Sequence, residues 1–178
     1  MDTNDFPIGL TFDDVLLEPR ESAVMRSEAV LETKLTKKIR IKIPIVAAAM
    51  DTVSGTEMGI ALGRLGGVAI LHRNCTIQEQ ISMLKRAKRA RILTGAAVGA
   101  VDPDRAVALD RAGADVIVVD TAHAHVRAVI KAAREIKKKI KAQLIVGNIA
   151  TKEAAQAFVD FADALKVGIG PGSICTTR

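Results

Sequence analysis

Short apolar runs alternate along the chain with longer amphipathic stretches, and this alternation limits the fold more than any other feature of the sequence. The apolar runs are rich in Val, Ile and Ala and predict strands near residues 45–50, 68–72, 93–99, 116–120, 144–148 and 165–169. Each run is continuously apolar, which is typical of strands buried on both faces of a parallel sheet. Strands that alternate with helices predict an α/β fold made of βα units.

Helix starts are marked by capping residues within the amphipathic stretches. Four starts are predicted, at Ser54 with Glu57, at Thr76 with Glu79, at Asp102 before Pro103, and at Thr151. The first two have the spacing of a capping box, and a proline directly after the cap suits the first helical position. The stretch after Val126 carries an apolar stripe at helical spacing, formed by Val129, Ile130, Ala133, Ile136 and Ile140.

An internal repetition accompanies this pattern. The segment AGADV around Asp115 and the segment FADAL around Asp163 lie 48 residues apart, and each leads into a predicted strand. This distance equals two βα units of about 24 residues, which is short but reasonable for a (β/α) barrel. We therefore expect about six βα units of an incomplete TIM (β/α)8-type barrel, in a single catalytic-type domain over residues 1–178. The less periodic residues 1–40 are expected to add a small hairpin or to cover one barrel end.

The formal net charge of +6 is concentrated in two basic clusters, one within residues 85–91 and one within residues 137–141. One interpretation is a patch that attracts anions, nucleic acid included. The solvated outer faces of two helices explain the clusters more simply. The chain also has no Tyr or Trp and only four Phe that could stack against single-stranded bases. Nucleic acid is therefore not the expected partner.

The sequence also bears on the cellular compartment. No apolar run approaches the roughly 18 residues of a membrane span, and the acidic start of the chain lacks the pattern of a signal peptide. Cys75 and Cys175, the two cysteines, are too far apart in the sequence to suggest a disulfide framework. A reducing cytoplasm is the expected compartment.

Polar residues gather directly after the predicted strands. They are Asp51 and Thr52, then His72, Arg73 and Asn74, then Asp120 and Thr121, and finally Asn148. In (β/α) barrels the C-terminal ends of several strands together carry the active site. Helix capping and turn formation explain some of these residues one by one, but their joint placement at one rim predicts a functional site there.

The sixth predicted strand leads into a glycine-rich loop, residues 168–178, with the sequence GIGPGSICTTR. Its glycines free the backbone to turn sharply and to approach a ligand closely. Amides exposed in such a loop can cradle phosphate, and its carbonyls can face a cation. Cys175 on this loop can be reached by a substrate and is the candidate nucleophile, whereas Cys75 is expected to be a small buried hydrophobe.

The loop GIGPGSICTTR resembles the signature loop of the IMP dehydrogenase / GMP reductase family. Five other segments resemble motifs of that family in the same order, TFDDVLL from Thr11, AAAMDTV from Ala47, GGVAILHRN from Gly66, VVDTAHAH from Val118 and GNIAT from Gly147. The resemblance runs from about residue 10 to the C-terminus. The segments VDTAHAH and GNIAT are more similar to the dehydrogenase than to the reductase, although both enzymes share the cysteine loop.

The resemblance implies an NAD-dependent oxidation of IMP to XMP in guanine nucleotide synthesis. In the family, a loop cysteine attacks C2 of the purine, hydride passes to NAD, and water hydrolyses the thioimidate. The residue that matches this cysteine is Cys175. By the same motifs, Thr177 matches a residue close to the reacting centre, Ser173 a ligand of the substrate phosphate, and Met50 a residue under the purine. On the nicotinamide side the matching residues are Asp120, Asn148 and Gly168. The backbone carbonyls of Gly170, Gly172 and Cys175 match those that hold a monovalent cation, usually K⁺.

Two departures from the family pattern change these expectations. The family usually inserts a pair of regulatory CBS modules between the second helix and the third strand, but here residues 85–91 run almost directly into residues 92–99, so no CBS domain is expected between about 90 and 92. The chain also stops at Arg178, after six predicted strands, whereas a closed barrel has eight. This predicts a fragment or one half of a split enzyme, without steady-state turnover by itself.

The expected partners are IMP and either further copies of the chain, as in a homo-oligomer, or a complementing chain that supplies the last strands. Two alternatives to the dehydrogenase stay open. One is a GMP reductase-type enzyme, and the other is a non-catalytic half-barrel that binds a nucleotide or a partner.

Overall fold

The fold is that of a computed structural model, which describes Leu10 and residues 14–171. The chain divides into two compact units, residues 1–30 with 170–178, and residues 31–169. The described part of the first unit contains a short 3-10 helix, Arg26–Glu28. The start of this helix is closed by the backbone N–H of Met25, which donates to the Glu28 carboxylate over 2.9 Å.

The second unit holds a two-stranded hairpin and a six-stranded parallel sheet with helices between its strands. The antiparallel hairpin consists of β1 (Thr33–Lys34) and β2 (Arg40–Ile41). The parallel strands lie side by side in chain order, as β3 (Val46–Ala47), β4 (Val68–Leu71), β5 (Gly95–Val98), β6 (Val116–Asp120), β7 (Gln143–Ile149) and β8 (Ala164–Val167). The helices are α1 (Thr56–Arg64), α2 (Ile77–Arg89), α3 (Pro103–Arg111), α4 (Arg127–Lys139) and α5 (Lys152–Phe158). This curled sheet confirms the expected incomplete (β/α)8-type barrel.

Three of the four predicted helix starts are confirmed. Thr76 and Glu79 form the predicted capping box of α2, and the side chains of Asp102 and Thr151 cap α3 and α5. The prediction at Ser54 is wrong, because α1 begins after Gly55 and has no side-chain cap. The backbone of Ser54 is used in tertiary pairing instead, since its carbonyl accepts the N–H of His72 over 3.2 Å.

Two apolar clusters cover the two faces of the sheet, which explains why the strand segments are apolar throughout. The larger cluster lies between the sheet and the helices and includes Val98, Ile117, Val119, Leu144 and Val146 from the strands, with Leu84, Leu109, Ile136 and Phe158 from the helices. The smaller cluster lies on the inner face and consists of Ile41, Val68, Ile70, Ala97, Val116, Val118 and Ile145. Neighbouring residues of one strand point to opposite faces, so both faces need apolar side chains.

The hairpin covers the N-terminal ends of the strands. Residues 1–40 were expected to add a small hairpin or to cover one barrel end. Ile41 of β2 is buried in the inner cluster. The Thr36 hydroxyl, in the hairpin turn, donates to the Gln143 side chain at the start of β7 over 3.1 Å. The backbone N–H of Lys37 donates to the carbonyl of Asp163, just before β8, over 3.2 Å.

The internal repetition corresponds to a repeated arrangement at the same ends of the strands. The Asp115 carboxylate accepts the N–H of Thr94 over 2.8 Å and the Lys88 ammonium over 2.7 Å. The Asp163 carboxylate accepts the N–H of Leu144 over 2.7 Å and the ammonium of Lys137. Asp115 therefore joins the start of β5 to α2, and Asp163 joins the start of β7 to α4.

The connection from α2 to β5 consists of residues 90–94 and is short. Within the part of the chain that the structure describes, no helix combines the length and the apolar character that a membrane span requires.

Candidate functional site

The polar residues predicted to share one rim follow the C-terminal ends of the parallel strands. In chain order they are Asp51 after β3, His72 and Asn74 after β4, Asp120 at the end of β6, and Asn148 near the end of β7. Parallel strands that lie side by side bring these ends to one edge of the sheet. We call this edge the rim, and its side chains form two groups.

The first group joins the ends of β3 and β4. The Asn74 amide donates to the Asp51 carboxylate over 2.5 Å, and both side chains are exposed. This hydrogen bond, followed by one from the backbone of Thr52 and by the nearby His72, lowers the pKa of Asp51 below its usual 3.8. Asp51 therefore stays an anion with an orientation set by Asn74.

The second group joins β6, β7 and β8 through a lysine. The Lys166 ammonium donates to the Asn148 side-chain oxygen over 2.5 Å and lies 3.6 Å from the Asp120 carboxylate. Asp120 and Asn148 were predicted from the sequence as site residues, whereas Lys166 was missed because it lies within an apolar strand segment. Its charge inside that segment was the one available signal.

The backbone beneath this second group is tied by a set of short hydrogen bonds. Thr121 donates to the Gly147 carbonyl from its backbone N–H over 2.9 Å and from its hydroxyl over 3.0 Å. The carbonyl of Thr121 in turn accepts the N–H of Asn148 over 2.9 Å, and the Asn148 carbonyl accepts the N–H of Ala124 over 2.8 Å. The turn after β6 thus holds the backbone of Asn148 in place.

A cavity of about 240 Å³ opens on the inner face of the sheet below the second group. Its walls are mainly apolar, and it is lined by Leu35, Val46, Ala48, Ala49, Ile70, Val118, Asp120, Ile145, Ala164, Leu165 and Lys166. Asp120 and Lys166 supply the charged groups of this lining. An apolar cavity with a few convergent polar groups is the usual form of a small-molecule site, although such sites mostly measure about 300–1,000 Å³.

Three buried polar atoms near the rim have no hydrogen-bond partner among the described residues. They are the hydroxyl oxygens of Ser54 and Thr56 and Nδ1 of His72. The hydrogen bond from His72 N–H to the Ser54 carbonyl brings two of these residues together. Buried polar groups are normally hydrogen-bonded, so burying these atoms without such bonds lowers the stability of the folded chain.

The remaining predicted site residues lie next to the strand ends or in the loop after β8. Met50 is 44% exposed after β3, and Gly168 follows β8 with a φ of 117°, a conformation that favours glycine. Gly170 is described, with a φ of 60°. Gly172, Ser173, Cys175 and Thr177 lie outside the described residues. Among the residues that are described, no group of three His, Cys, Asp or Glu side chains could hold a metal ion.

Cys75 is half-buried beside a polar network rather than fully enclosed. The Arg105 guanidinium donates to the carbonyl of Cys75 over 2.7 Å and to the side-chain oxygen of buried Gln80 over 2.7 Å. Burial raises the pKa of the Cys75 thiol, and the charge of Arg105 only partly opposes it. Because the thiolate is the reactive form, this cysteine is poorly suited to be a nucleophile.

Comparison with known proteins identifies relatives of the chain. The family model described as the IMP dehydrogenase / GMP reductase domain matches residues 9–178. Inosine-5'-monophosphate dehydrogenase of Cryptosporidium parvum is 37% identical, covering 100% of this chain and 56% of the relative. The same-named proteins of Borreliella burgdorferi and Halobacterium salinarum are 37% and 29% identical, covering 95% and 97% of this chain and 55% and 60% of the relatives.

These alignments contain 222, 224 and 301 positions, more than the 178 residues of the chain, so the relatives carry stretches that this chain lacks between matched residues. The chain spans between half and two thirds of the length of each of these relatives. The family match covers nearly all of the chain, and the half-barrel with its rim of polar residues agrees with it. The chain belongs to the IMP dehydrogenase / GMP reductase family.

Proposed function

We propose that the protein acts as an IMP dehydrogenase, in which IMP is oxidised to XMP with NAD as hydride acceptor. The observation that carries the proposal is that Asp120 and Lys166 line an apolar cavity while Lys166 also holds Asn148 by a hydrogen bond. The strand that bears Lys166 leads in sequence into the loop with Cys175. The names of the relatives support the same activity.

In this proposal Cys175 is the nucleophile. Its thiolate attacks C2 of IMP, the hydride of C2 leaves, and a thioimidate joins the sulfur to the purine. Water then adds to C2, and release of the thiolate yields XMP. Covalent catalysis of this kind divides one difficult step into two easier ones. Thr177 would lie close to the reacting centre, Ser173 would bind the phosphate, and Met50 would lie under the purine.

NAD supplies the acceptor for the hydride when it is bound. The residues at the second rim group fit such a cofactor, because the Asp120 carboxylate and the Asn148 amide oxygen can accept hydrogen bonds from ribose hydroxyls. Lys166 orients both oxygens, and Gly168 leaves room for close approach. At about 240 Å³ the cavity fits the ring end of a dinucleotide rather than all of it.

A monovalent cation would be held by the backbone carbonyls of Gly170, Gly172 and Cys175. Rings of carbonyl oxygens can replace the hydration shell of K⁺, so this donor set fits K⁺. The cation would fix the course of the loop and thereby the position of Cys175. We also propose, from the family, a cytoplasmic location and assembly with further copies or with a complementing chain.

The test measures two properties of Cys175 in the full chain. One is NADH absorbance in the presence of IMP, NAD and K⁺, with Cys175→Ala as the blank. The other is the rate of alkylation of Cys175 with and without IMP, followed by peptide mass spectrometry, with Cys75 as the internal reference. We expect faster alkylation of Cys175 than of Cys75 and protection of Cys175 by IMP. The chain alone should form little or no steady-state NADH, and a complementing C-terminal segment should restore NADH formation only when Cys175 is unchanged. The proposal fails if IMP protects neither cysteine and no Cys175-dependent NADH forms.

A GMP reductase-type activity is the second candidate, since that enzyme shares the cysteine loop. The segments VDTAHAH and GNIAT favour the dehydrogenase. The discriminating measurement offers the chain GMP with NADPH in parallel with IMP and NAD. Consumption of NADPH that depends on GMP and on Cys175 would decide for the reductase. A non-catalytic half-barrel would instead show IMP protection of Cys175 with neither reaction.

A further inference from the structure

Basic side chains from separate parts of the chain converge at the end of the half-barrel opposite the rim. They come from the hairpin and from the C-terminal ends of three helices, namely Lys34, Lys38, Lys42, Arg89, Arg91, Arg111, Lys139 and Lys141. We call this set the basic end. All of these residues are exposed, and none of their side chains forms an ion pair within the part of the chain that the structure describes.

Topology places these residues together. Helices α2, α3 and α4 each end just before the next strand of the sheet begins, so their last turns lie beside the N-terminal ends of the strands. The hairpin reaches the same end, because the backbone N–H of Lys42 donates to the carbonyl of Gly66 over 2.8 Å and that of Lys37 donates to Asp163 over 3.2 Å. The sequence showed only two separate clusters, and the hairpin lysines were in neither.

Most acidic side chains at this end already have partners. Asp115 and Asp163 bind Lys88 and Lys137, and Glu32 binds Arg40 over 2.6 Å. The Asp110 carboxylate accepts the backbone N–H groups of Lys141 and Ala142 over 2.9 and 2.7 Å. The basic end therefore carries a local excess of positive charge, and its self-repulsion would be relieved by an anionic partner.

The composition of the basic end favours phosphate over protein. Protein interfaces are enriched in aromatic residues, Met and Arg and depleted in Lys, whereas lysine predominates here. At the ends of α2, α3 and α4, none of the described large apolar side chains is exposed, and Leu31 and Ile45 are exposed where they flank the hairpin in the sequence. The chain has no Trp or Tyr to stack on unpaired bases. A duplex offers its phosphates without needing such stacking.

We propose that the basic end binds duplex nucleic acid through its phosphates, without reading the base sequence. This goes beyond the dehydrogenase function and does not depend on it, because the rim lies at the other end of the strands. Phosphate binding of this kind is dominated by release of counterions and weakens steeply with salt. The dissociation constant expected at physiological salt lies on the order of 10⁻⁴ to 10⁻⁶ M.

The test is the fluorescence anisotropy of a labelled mixed-sequence DNA duplex, titrated with the full chain over a series of KCl concentrations. The variant Lys34→Gln/Lys38→Gln/Lys141→Gln removes three charges from the basic end. The matched control, Arg127→Gln/Lys131→Gln/Lys152→Gln, removes three exposed charges from the starts of α4 and α5. We expect the first variant to weaken binding at low salt by about tenfold or more and to flatten the salt dependence, because phosphate contacts are lost.

The control variant should change the affinity for the duplex by less than about twofold, since the basic side chains that it lacks make none of the proposed phosphate contacts. Far-UV circular dichroism of both variants verifies that they are folded. Equal weakening in both variants would show attraction by net charge alone and would overturn the proposal. So would absence of duplex binding by the unchanged chain, or tighter binding of phosphatidylserine vesicles with the same dependence on the basic end.

Discussion

At the scale of single residues, the site depends on side chains that hold other side chains. Lys166 lies between Asn148 and Asp120 and connects β8 to β6 and β7. Asn74 does the same for Asp51 across β3 and β4. Neither contact is visible in the sequence, because each joins positions that are many residues apart.

The hydrogen bond from Asn74 makes a direct prediction about the titration of Asp51. In Asn74→Ala we expect the pKa of Asp51 to rise toward 3.8, because the largest cause of its lowering is removed. A lowered folded-state pKa contributes stability that is present above the unfolded-state value and lost as the pH falls through the folded-state value. The contribution of Asp51 to stability is therefore complete above about pH 4 and is lost only as the pH falls below that value.

The measurement is an NMR titration of the Asp51 carboxyl carbon in both proteins. Glu79 is the internal control, because its pKa is lowered by Thr76, and Asn74 is not among the causes. An unchanged Asp51 titration in Asn74→Ala would contradict the role of this bond. A shift of both carboxyl groups would indicate a general change of structure.

At the scale of elements, the capping-box spacing occurs twice in the sequence but forms a helix cap only once. Ser54 with Glu57 and Thr76 with Glu79 have the same spacing, yet only Thr76 caps a helix. The backbone of Ser54 is held by Met50 on one side and by His72 on the other. This tertiary pairing moves the helix start to Gly55 and leaves the Ser54 hydroxyl buried without a hydrogen-bond partner among the described residues.

The two motifs should therefore respond differently to alanine. Thr76→Ala is expected to lower the free energy of unfolding by about 1 kcal/mol, because the N–H of Glu79 loses its acceptor. Ser54→Ala is expected to be neutral or stabilising, since it removes a buried hydroxyl that makes no hydrogen bond with any described residue. Urea unfolding of both variants gives the two values. A larger loss for Ser54→Ala than for Thr76→Ala would mean that this hydroxyl has a partner.

The pairing of β7 with β8 predicts the effect of a side chain at Gly147. A Cβ there would lie 2.6 Å from Lys166 Cβ and 2.8 Å from its carbonyl oxygen, so one strand must shift. Gly147→Ala is expected to lower the free energy of unfolding by about 1–3 kcal/mol, the usual cost of overpacking. Gly59→Ala in α1 is the control, because its Cβ would meet only Leu71 at 3.9 Å. It should be neutral or stabilising by up to about 1 kcal/mol through helix propensity.

At the scale of the whole molecule, the half-barrel is organised by repetition. The pairs Lys88–Asp115 and Lys137–Asp163 each fasten a helix to the start of the strand that follows it. Their surroundings differ, since the Asp163 side chain is 8% exposed and that of Asp115 is 30% exposed. The aspartate of the second pair is therefore more shielded from solvent than that of the first.

This difference predicts unequal costs of removing the two carboxylates. Asp163→Ala is expected to lower the free energy of unfolding by about 3 kcal/mol, because it leaves Lys137 and the Leu144 N–H partly buried without an acceptor. Asp115→Ala should cost about 1–2 kcal/mol, because solvent can replace more of the lost contacts. Thermal and urea unfolding measure both variants under identical salt. Equal costs would show that burial does not separate the two pairs.

The sequence by itself determined the fold class and the order of the elements. All six parallel strands were predicted, and three of four helix starts, because apolar periodicity and capping are local properties. It also determined that polar residues follow the strands, since the C-terminal end of a strand is defined by chain direction. The family resemblance rested on contiguous motifs and was confirmed over residues 9–178.

Only the tertiary structure decided which of these residues meet. Lys166 contacts Asn148, eighteen residues away in sequence, and Ser54 loses its capping role to a contact with His72. The basic end is formed by segments around residues 38, 90, 111 and 140 that no local pattern connects. The physical reason is the same in each case. Burial of both sheet faces fixes the order of the strands, and that order alone brings distant side chains to the same end of the molecule.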